Sequence, residues 1–406
     1  MRVSTFQFYQ TNALNIGRKS SEMNGMSPYM SEGKRILTAK DDPVANGTIS
    51  GLNEELVRIT QYNSNIDSAK ASNSRSETAF SSIETLLMRV QTLALQANSG
   101  ANSQNDMNAI AMELRGAYEE LVSQANSRDE SGNYIFAGYQ VDKQPFLSAA
   151  DGSVSYQGDY GERRLQVSGG VYVATSQAGD AVFLNAPNAI GDFGASYASN
   201  DGGVRVSRAE IVQPGSYDSA GFPPDYGFAF TDADADGVME LTVTDGNGAS
   251  VYTTTSYSPG QTVAFNGIEV VVDGNPLPGD SFSLAPKQES SIFENIQRLI
   301  SWVENSKVSG TTEQNQVDYD DILSQLNRDL IHITTRRAEV GSRLNTLMRQ
   351  EDLNADLTLT LTESKGKLED LDYAKAVADF EQAKLALQAS QQRFMQLRDL
   401  SLFNYL

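Results

Sequence analysis

The 406-residue chain has no cysteine, one histidine and one tryptophan, and it is poor in positive charge: 31 Lys and Arg stand against 52 Asp and Glu, for a formal net charge of -21. The lack of Cys excludes disulfides, Cys-ligated zinc and thiol nucleophiles. The acidity argues against nucleic acid or an anionic membrane as a main partner, because both would repel it. No stretch approaches the roughly 20 apolar residues of a membrane span. The opening MRVSTFQFYQTN also lacks the apolar run of a secretory signal peptide, so export would need another route. With 39% of residues apolar, the chain still has the length to bury more than one core.

Proline and glycine are absent from most of both flanks. Nine of the 11 Pro and 20 of the 32 Gly fall between Pro145 and Pro286, the other prolines being Pro28 and Pro43. The flanks therefore read as long helices and the middle does not. Inside the middle, FNGIEV (Phe265 to Val270) sets Asn-Gly between alternating apolar residues, the strongest short hairpin signal. VTDGNGASVY (Val243 to Tyr252) reads as a second hairpin, and Tyr226, Phe228 and Phe230 alternate as a strand with one buried face would. An inserted β-rich domain is expected over residues 145–286.

The flanks carry heptads. Leu52, Ile59, Ile66, Asn73, Phe80, Leu87 and Ala94 recur every seven residues, with Tyr62, Ala69, Ser76, Ile83, Val90 and Ala97 at the second core position. Leu326, Ile333, Val340, Leu347, Asn354, Leu361 and Leu368 form a matching series. Two helices of similar length follow, able to lie antiparallel. Asn73 and Asn354 occupy core positions, where an amide can fix register at some cost in stability. A third helix is expected through Met107, Ile110, Leu114, Ala117, Leu121 and Gln124, and a fourth from a capping box at Ser291 and Glu294. Asp42 suits an N-cap and Pro43 a first helical position.

The extreme ends show narrower seams. Phe6, Tyr9, Ala13, Ile16, Ser20 and Met23 step by 3 and 4 before Gly25 and Pro28 interrupt the run, and Phe380, Ala383, Leu387, Ser390, Phe394 and Leu397 repeat those steps. Polar residues fill the intervening positions, so each end alone should fray. The fold class expected is α+β and multidomain: a long antiparallel helical coiled-coil rod built from both termini, with an inserted β-rich domain. Residues 1–40 and 370–406 would be terminal assembly segments, 41–144 and 287–369 the rod with a β-hairpin near 132–146, and 145–286 the insert.

Several segments carry a family resemblance. MSEGKRILTAKDDPVANGTIS (Met30 to Ser50) and LLMRVQTLALQANSG (Leu86 to Gly100) resemble the amino-terminal region of bacterial flagellins and their junction relatives. GNYIFAGYQVDKQPF (Gly132 to Phe146) is similar to the hairpin closing the amino-terminal part of the flagellar hook-associated protein 3 family, and Leu368 to Leu406 resembles that family's carboxyl-terminal helix. The Leu-Phe-Asn-Tyr-Leu ending points to the junction family rather than to flagellin.

The resemblance implies a structural, non-enzymatic subunit of the bacterial flagellum. It would form a ring with copies of itself and join the hook, through hook-associated protein 1, to flagellin. It further implies type III export with a flagellar export chaperone and an extracellular location. Phe6, Tyr9, Ala13 and Ile16 would then meet Phe380, Leu387, Phe394 and Leu397 in the assembled state, with Phe403 and Leu406 extending the contact.

Chemical motifs give little. Asp232, Asp234, Asp236 and Gly237 match the first half of an EF-hand calcium loop, but the twelfth position is Val243 where a bidentate Glu is needed. An acidic turn between strands is the plainer reading, with a calcium-dependent surface-binding protein as one alternative and a filament-forming flagellin as the other. His332 sits in IHITTRR on a long helix as a flank of the seam, Arg336 and Arg337 as solvated or paired cations, and Trp302 as helix packing. No catalytic residue and no cofactor is expected.

Overall fold

A computed structural model describes residues 2–149, 152–305 and 312–399. The described helices are, in chain order, α1 (Arg2–Glu32), α2 (Pro43–Ala97), α3 (Gln104–Ala125), α4 (Gly179–Phe183), α5 (Ile292–Asn305), α6 (Thr312–Glu369) and α7 (Tyr373–Asp399). The chain divides into two compact units, Ile66–Met348 and the pair Met1–Asn65 with Arg349–Leu406. Together the helices and an inserted sheet-rich region make an α+β fold.

In the unit Ile66–Met348 the heptad series becomes a buried seam. Ile66, Ala69, Phe80, Ile83, Leu87, Val90, Ala94 and Ala97 of α2 are buried, as are Leu326, Ile333, Val340 and Leu347 of α6. The chains run antiparallel, since Ile66 shares a cluster with Leu347 while Arg337 reaches back to Glu77 (2.6 Å) and Glu84 (2.7 Å). Helix α3 contributes Met107, Ile110, Leu114, Ala117 and Leu121, and α5 contributes Ile292, Ile296 and Leu299. A Ser103–Asp106 capping box starts α3: each residue's side chain takes the other's backbone N–H, satisfying two donors that the first helical turn leaves open. At α5, Ser291 Oγ accepts from the Glu294 N–H at 3.5 Å. Trp302 packs on Tyr319 and donates to the Asn315 carbonyl, in keeping with a packing role.

Where the helices meet the insert, Phe80, Phe136, Phe146, Phe183 and Phe293 form one buried aromatic cluster, with centroid separations from 5.2 to 5.7 Å. The segment 132–146 is not the hairpin expected. Only single bridges form, Arg128 to Tyr134 and Ala137 to Ala178, and among the described residues no strand precedes β1 (Phe146–Ser148), which pairs with β2 (Val154–Tyr156). The reason is burial: Tyr134, Ile135, Phe136 and Ala137 are consecutively buried, which a hairpin with one wet face cannot achieve. Gly132 and Gly138, at φ +85° and +70°, turn the chain tightly instead.

A hairpin of β3 (Arg164–Ser168) and β4 (Val171–Ala174) lays Val167 and Val173 against Ile66, Ala69 and Leu347. Asn73 secures it: its amide, 2% exposed, donates to the carbonyls of Ala69 (2.9 Å) and Ala174 (3.0 Å). Asn354 instead donates to Asn63 Oδ1 at 3.0 Å, so the two seam amides each have separate partners.

The chain enters the insert along β5 (Ala186–Pro187). It continues through β6 (Phe193–Ser199), β7 (Arg205–Ile211), β8 (Tyr226–Thr231), β9 (Glu240–Thr244), β10 (Ser250–Thr254), β11 (Thr262–Phe265), β12 (Ile268–Asp273) and β13 (Ser281–Pro286), and leaves on β14 (Glu289–Ser290). One antiparallel sheet has the order β10-β9-β8-β13-β6 and a second β11-β12-β7, while β5 and β14 pair as a two-residue neck. Tyr226, Phe228 and Phe230 point into the core between the sheets, and Phe228 stacks on Phe282 at 4.5 Å. The Asn266-Gly267 turn joins β11 to β12 with both residues at positive φ, 44° and 74°, as a type I′ turn requires. The residues of this core run from Phe193 to Leu284, whereas Phe146 and Phe183 belong to the helical core.

Candidate assembly surface

In the unit Met1–Asn65 with Arg349–Leu406, α1 and α7 pair antiparallel. Tyr9 and Phe394 meet edge to face at 6.0 Å and 86°, and at the other end Tyr373 Oη donates to the Met30 carbonyl at 3.1 Å. Helix α1 continues through Gly25 and Pro28, which interrupt the apolar pattern without ending the helix. Proline costs one hydrogen bond there, and the helix absorbs the loss.

The base of this pair is tightly built. Gly33 adopts φ +69°, and a Cβ at that position would lie 2.8 Å from the Tyr373 hydroxyl, so a side chain would collide with the residue that closes the turn. The Arg35 N–H donates to the Glu369 carbonyl (2.7 Å) and the Leu371 N–H to the Gly33 carbonyl (2.9 Å). Lys34 pairs with Glu369 at 2.7 Å; this bond raises the lysine's proton affinity and holds the Glu369 carboxyl below its ordinary range. Asp42 caps α2 by accepting from the Ala45 N–H at 3.0 Å, with Pro43 as first helical residue. Beneath lies a small cluster of Ile36, Ala45 and Ile49 with Leu368.

Away from that base the pair buries little. Among the described residues of α1 and α7, Leu387 alone is buried, at 8% exposed. Ile16, Phe380, Tyr9 and Phe394 are half-buried and Ala13 is exposed. The side chains of Phe6 and Leu397, and Phe403 and Leu406 entirely, lie outside the described residues. Sequence periodicity missed the opposite faces: Leu14 and Leu385 are each 63% exposed, joined by Val377 at 46% and Met395 at 52%. Their signal was present as apolar residues off the seam, uneconomical for a helix pair that keeps those faces in water.

Other candidate chemistry is structural. Asp232, Asp234 and Asp236 bring their carboxylates within 4.8 Å of one another in the turn between β8 and β9, where they accept from the N–H groups of Gly237, Asp236 and Val238. Val243, the twelfth position of the would-be calcium loop, is buried in the sheet core, and Glu240 accepts from Thr231 Oγ1 at 3.1 Å. His332, 8% exposed, bonds the Ala181 carbonyl through Nε2 at 3.1 Å, and burial lowers its proton affinity. Asp329 is fully buried and takes amide hydrogen bonds from Asn295 (2.8 Å) and Gln325 (2.9 Å); burial pushes its pKa up to about 6. Gln325 also accepts from the Ala189 N–H and donates to the Pro187 carbonyl, tying α6 to the neck of the insert.

Residues 3–141 match the bacterial flagellin N-terminal helical region. Over 403 residues the chain is 23% identical to flagellar hook-associated protein 3 of Escherichia coli, covering 99% of each. It is 27% identical to flagellin of the same organism, but over 137 residues and 32% of this chain. The crystal structure of flagellar hook-associated protein 3 from Legionella pneumophila superposes with a TM-score of 0.69 at 26% identity, covering 79% of this chain and 98% of that one.

Proposed function

We propose, from the likeness to flagellar hook-associated protein 3 along the whole chain, that this protein is a structural subunit of the bacterial flagellum joining the hook to the flagellin filament. The observation that carries the assembly mechanism is the poverty of burial between α1 and α7. Two helices cannot cover four apolar faces, so Leu14, Val377, Leu385 and Met395 are left for neighbouring subunits. In this reading Phe6, Tyr9, Ala13, Ile16, Phe380, Leu387, Phe394, Leu397, Phe403 and Leu406 form the seam that assembly completes. The long helices supercoil as a rod, and copies of the chain pack side by side into a ring between hook-associated protein 1 and flagellin. A chain whose ends are poorly buried before assembly also needs an export chaperone on its way through the growing flagellum to an extracellular site. Nothing in this role calls for catalysis.

Limited proteolysis of the purified monomer with mass spectrometry of the fragments tests the reading, repeated after mixing with a hook-associated protein 1 ring or with flagellin. Loss of both ends in the monomer and protection in the mixture is the expected result. Ends that resist cleavage alone and gain nothing in the mixture would overturn it. The match to flagellin over 32% of the chain, against 99% for the junction protein, weighs against a self-polymerising filament subunit.

A further inference from the structure

Strand β6 ends the five-stranded sheet. It pairs with β13 on one side, and no described strand pairs with it on the other. At about 3.4 Å per residue its seven residues offer roughly 23 Å of main chain. Its sequence, FGASYAS, has no charge and no proline, and Ser196, Ala198 and Ser199 are exposed. Natural edge strands are usually blunted by lysine, proline or a covering element. Here the covering is incomplete: a groove of about 560 Å³ runs between the strand and a polar wall formed by Arg298 of α5 and Gln314, Asp318 and Asp321 of α6.

We propose that the β6 edge is a docking site for an extended peptide segment of a partner protein bearing lysine or arginine, which adds to the sheet as a further strand. Main-chain groups of β6 supply the affinity in such strand addition, and the groove wall supplies the selection. The wall is polar, so it suits a side chain with a charged tip rather than an apolar anchor. The charge follows from the insert itself, where residues 186–290 hold 14 Asp and Glu against three Lys and Arg. All three bases are engaged: Arg205 with Asp321, Arg208 with Glu269 and Lys287 with Glu294. Asp321 is thus neutralised, while Asp318 takes one hydrogen bond, from Gln314 at 2.6 Å; burial raises its pKa, and Gln314 and the Arg298 charge draw it back down. Arg298 offsets part of the remaining charge of Asp201 and Asp318, and the rest of the insert leaves a clear negative excess. An incoming ammonium or guanidinium group would pair with Asp318. A second copy of this chain, itself at -21, would meet repulsion at the same edge.

The test uses the full chain and a fluorescein-labelled, end-blocked hexapeptide of alternating Val and Lys, read by fluorescence polarisation at 150 mM salt. Saturable binding is expected, with at least tenfold weaker binding of the Val and Glu counterpart and of a Val and Lys peptide N-methylated at alternate residues. Ala198→Lys, a surface change, should weaken binding at least tenfold, and Asp318→Asn about three- to tenfold with unchanged circular dichroism. Equal binding of the N-methylated peptide would show plain charge attraction and overturn strand addition. Indifference to Ala198→Lys, or failure of the Val and Lys peptide to bind, would overturn the site. Self-association of the unliganded chain that Ala198→Lys abolishes, seen by sedimentation velocity, would assign the edge to a second copy instead.

Discussion

The α2–α6 seam in Ile66–Met348 and the α1–α7 pair are written in the same alphabet of 3 and 4 steps, yet one is a core and the other is not. Phe80, Leu87, Leu326 and Val340 are closed over by α3, α5 and the small hairpins, whereas α1 and α7 have each other and, among their described residues, bury only Leu387. Charge separates the regions as well. Residues 1–65 with 349–406 hold 14 Lys and Arg against 16 Asp and Glu, and the remaining 283 residues hold 17 against 36. Periodicity says which face of a helix is apolar; the number of neighbouring elements decides whether that face is buried. A pattern that stops at two helices leaves apolar side chains in water.

The sharpest test of this contrast pairs Phe80→Ala with Phe394→Asp. Removing a fully buried ring should cost the monomer about 3–5 kcal/mol, read by urea unfolding. Phe394→Asp should cost the monomer less than about 1 kcal/mol, because its ring is half-buried at a fraying pair, and yet abolish incorporation at the junction. If both variants destabilise the monomer equally, the distinction between core and unfinished seam fails.

A smaller effect, of about 1–3 kcal/mol, is expected from Asp329 of the seam, with His332 acting in the opposite sense. Asp329 has its pKa raised to about 6 from an ordinary 3.8, so its contribution to stability is fully present below about pH 4 and is lost as pH rises through 6. His332 is shifted down from 6.5, so the folded state loses stability as pH falls through that value. The two oppose each other between pH 7 and 5. Asp329→Asn should therefore make the protein more sensitive to acid over that range and His332→Gln less so, in melting temperatures taken at each pH. Identical pH profiles for both variants and the parent would remove these groups from the balance.

Gly267→Ala should cost about 1–2 kcal/mol, since the residue holds φ +74° and a Cβ would stand 2.6 Å from the Gln213 carbonyl oxygen. The loss belongs to the insert, so hydrogen exchange should rise in β11 and β12 while the helical seam stays protected. Smallest is the response to salt. Raising ionic strength from about 20 to 500 mM shortens the screening length from roughly 20 Å to about 4 Å. Amide protection in the acidic unit should rise by a few tenths of a kcal/mol while the near-neutral terminal unit changes less.

Much of this was legible in the sequence. The heptad positions from Ile66 to Ala97 are buried as read, because a seven-residue repeat is a statement about one face and needs no tertiary knowledge. Asn-Gly in FNGIEV forms its turn for a similarly local reason. The Ser103–Asp106 box was readable by the same rule that found Ser291 and Glu294, with Asp in place of Glu. What could not be read depends on distant partners. YIFA carries hairpin-like residues, but Phe136 is taken into a ring cluster with Phe80 and Phe183, which lie 56 and 47 positions away. Asn73 looked like a register residue for a facing helix, and instead holds Ala174 of β4. Strand β6 gave no signal because FGASYAS has no run of β-branched residues. The ring pair of Tyr9 and Phe394 joins two positions that the steps of 3 and 4 had selected.

The neck of the insert has a consequence for the chain's history as much as for its shape. Because Ala186 pairs with Ser290 and Pro187 with Glu289, the insert begins and ends side by side. To the helices, everything between those two pairs closes no more distance than a tight turn, and lengthening it adds closure entropy only logarithmically. The region can therefore be exchanged, enlarged or trimmed while the seam still finds its register. Such a neck behaves as a socket, letting the inserted sheets change while the helices that hold them do not.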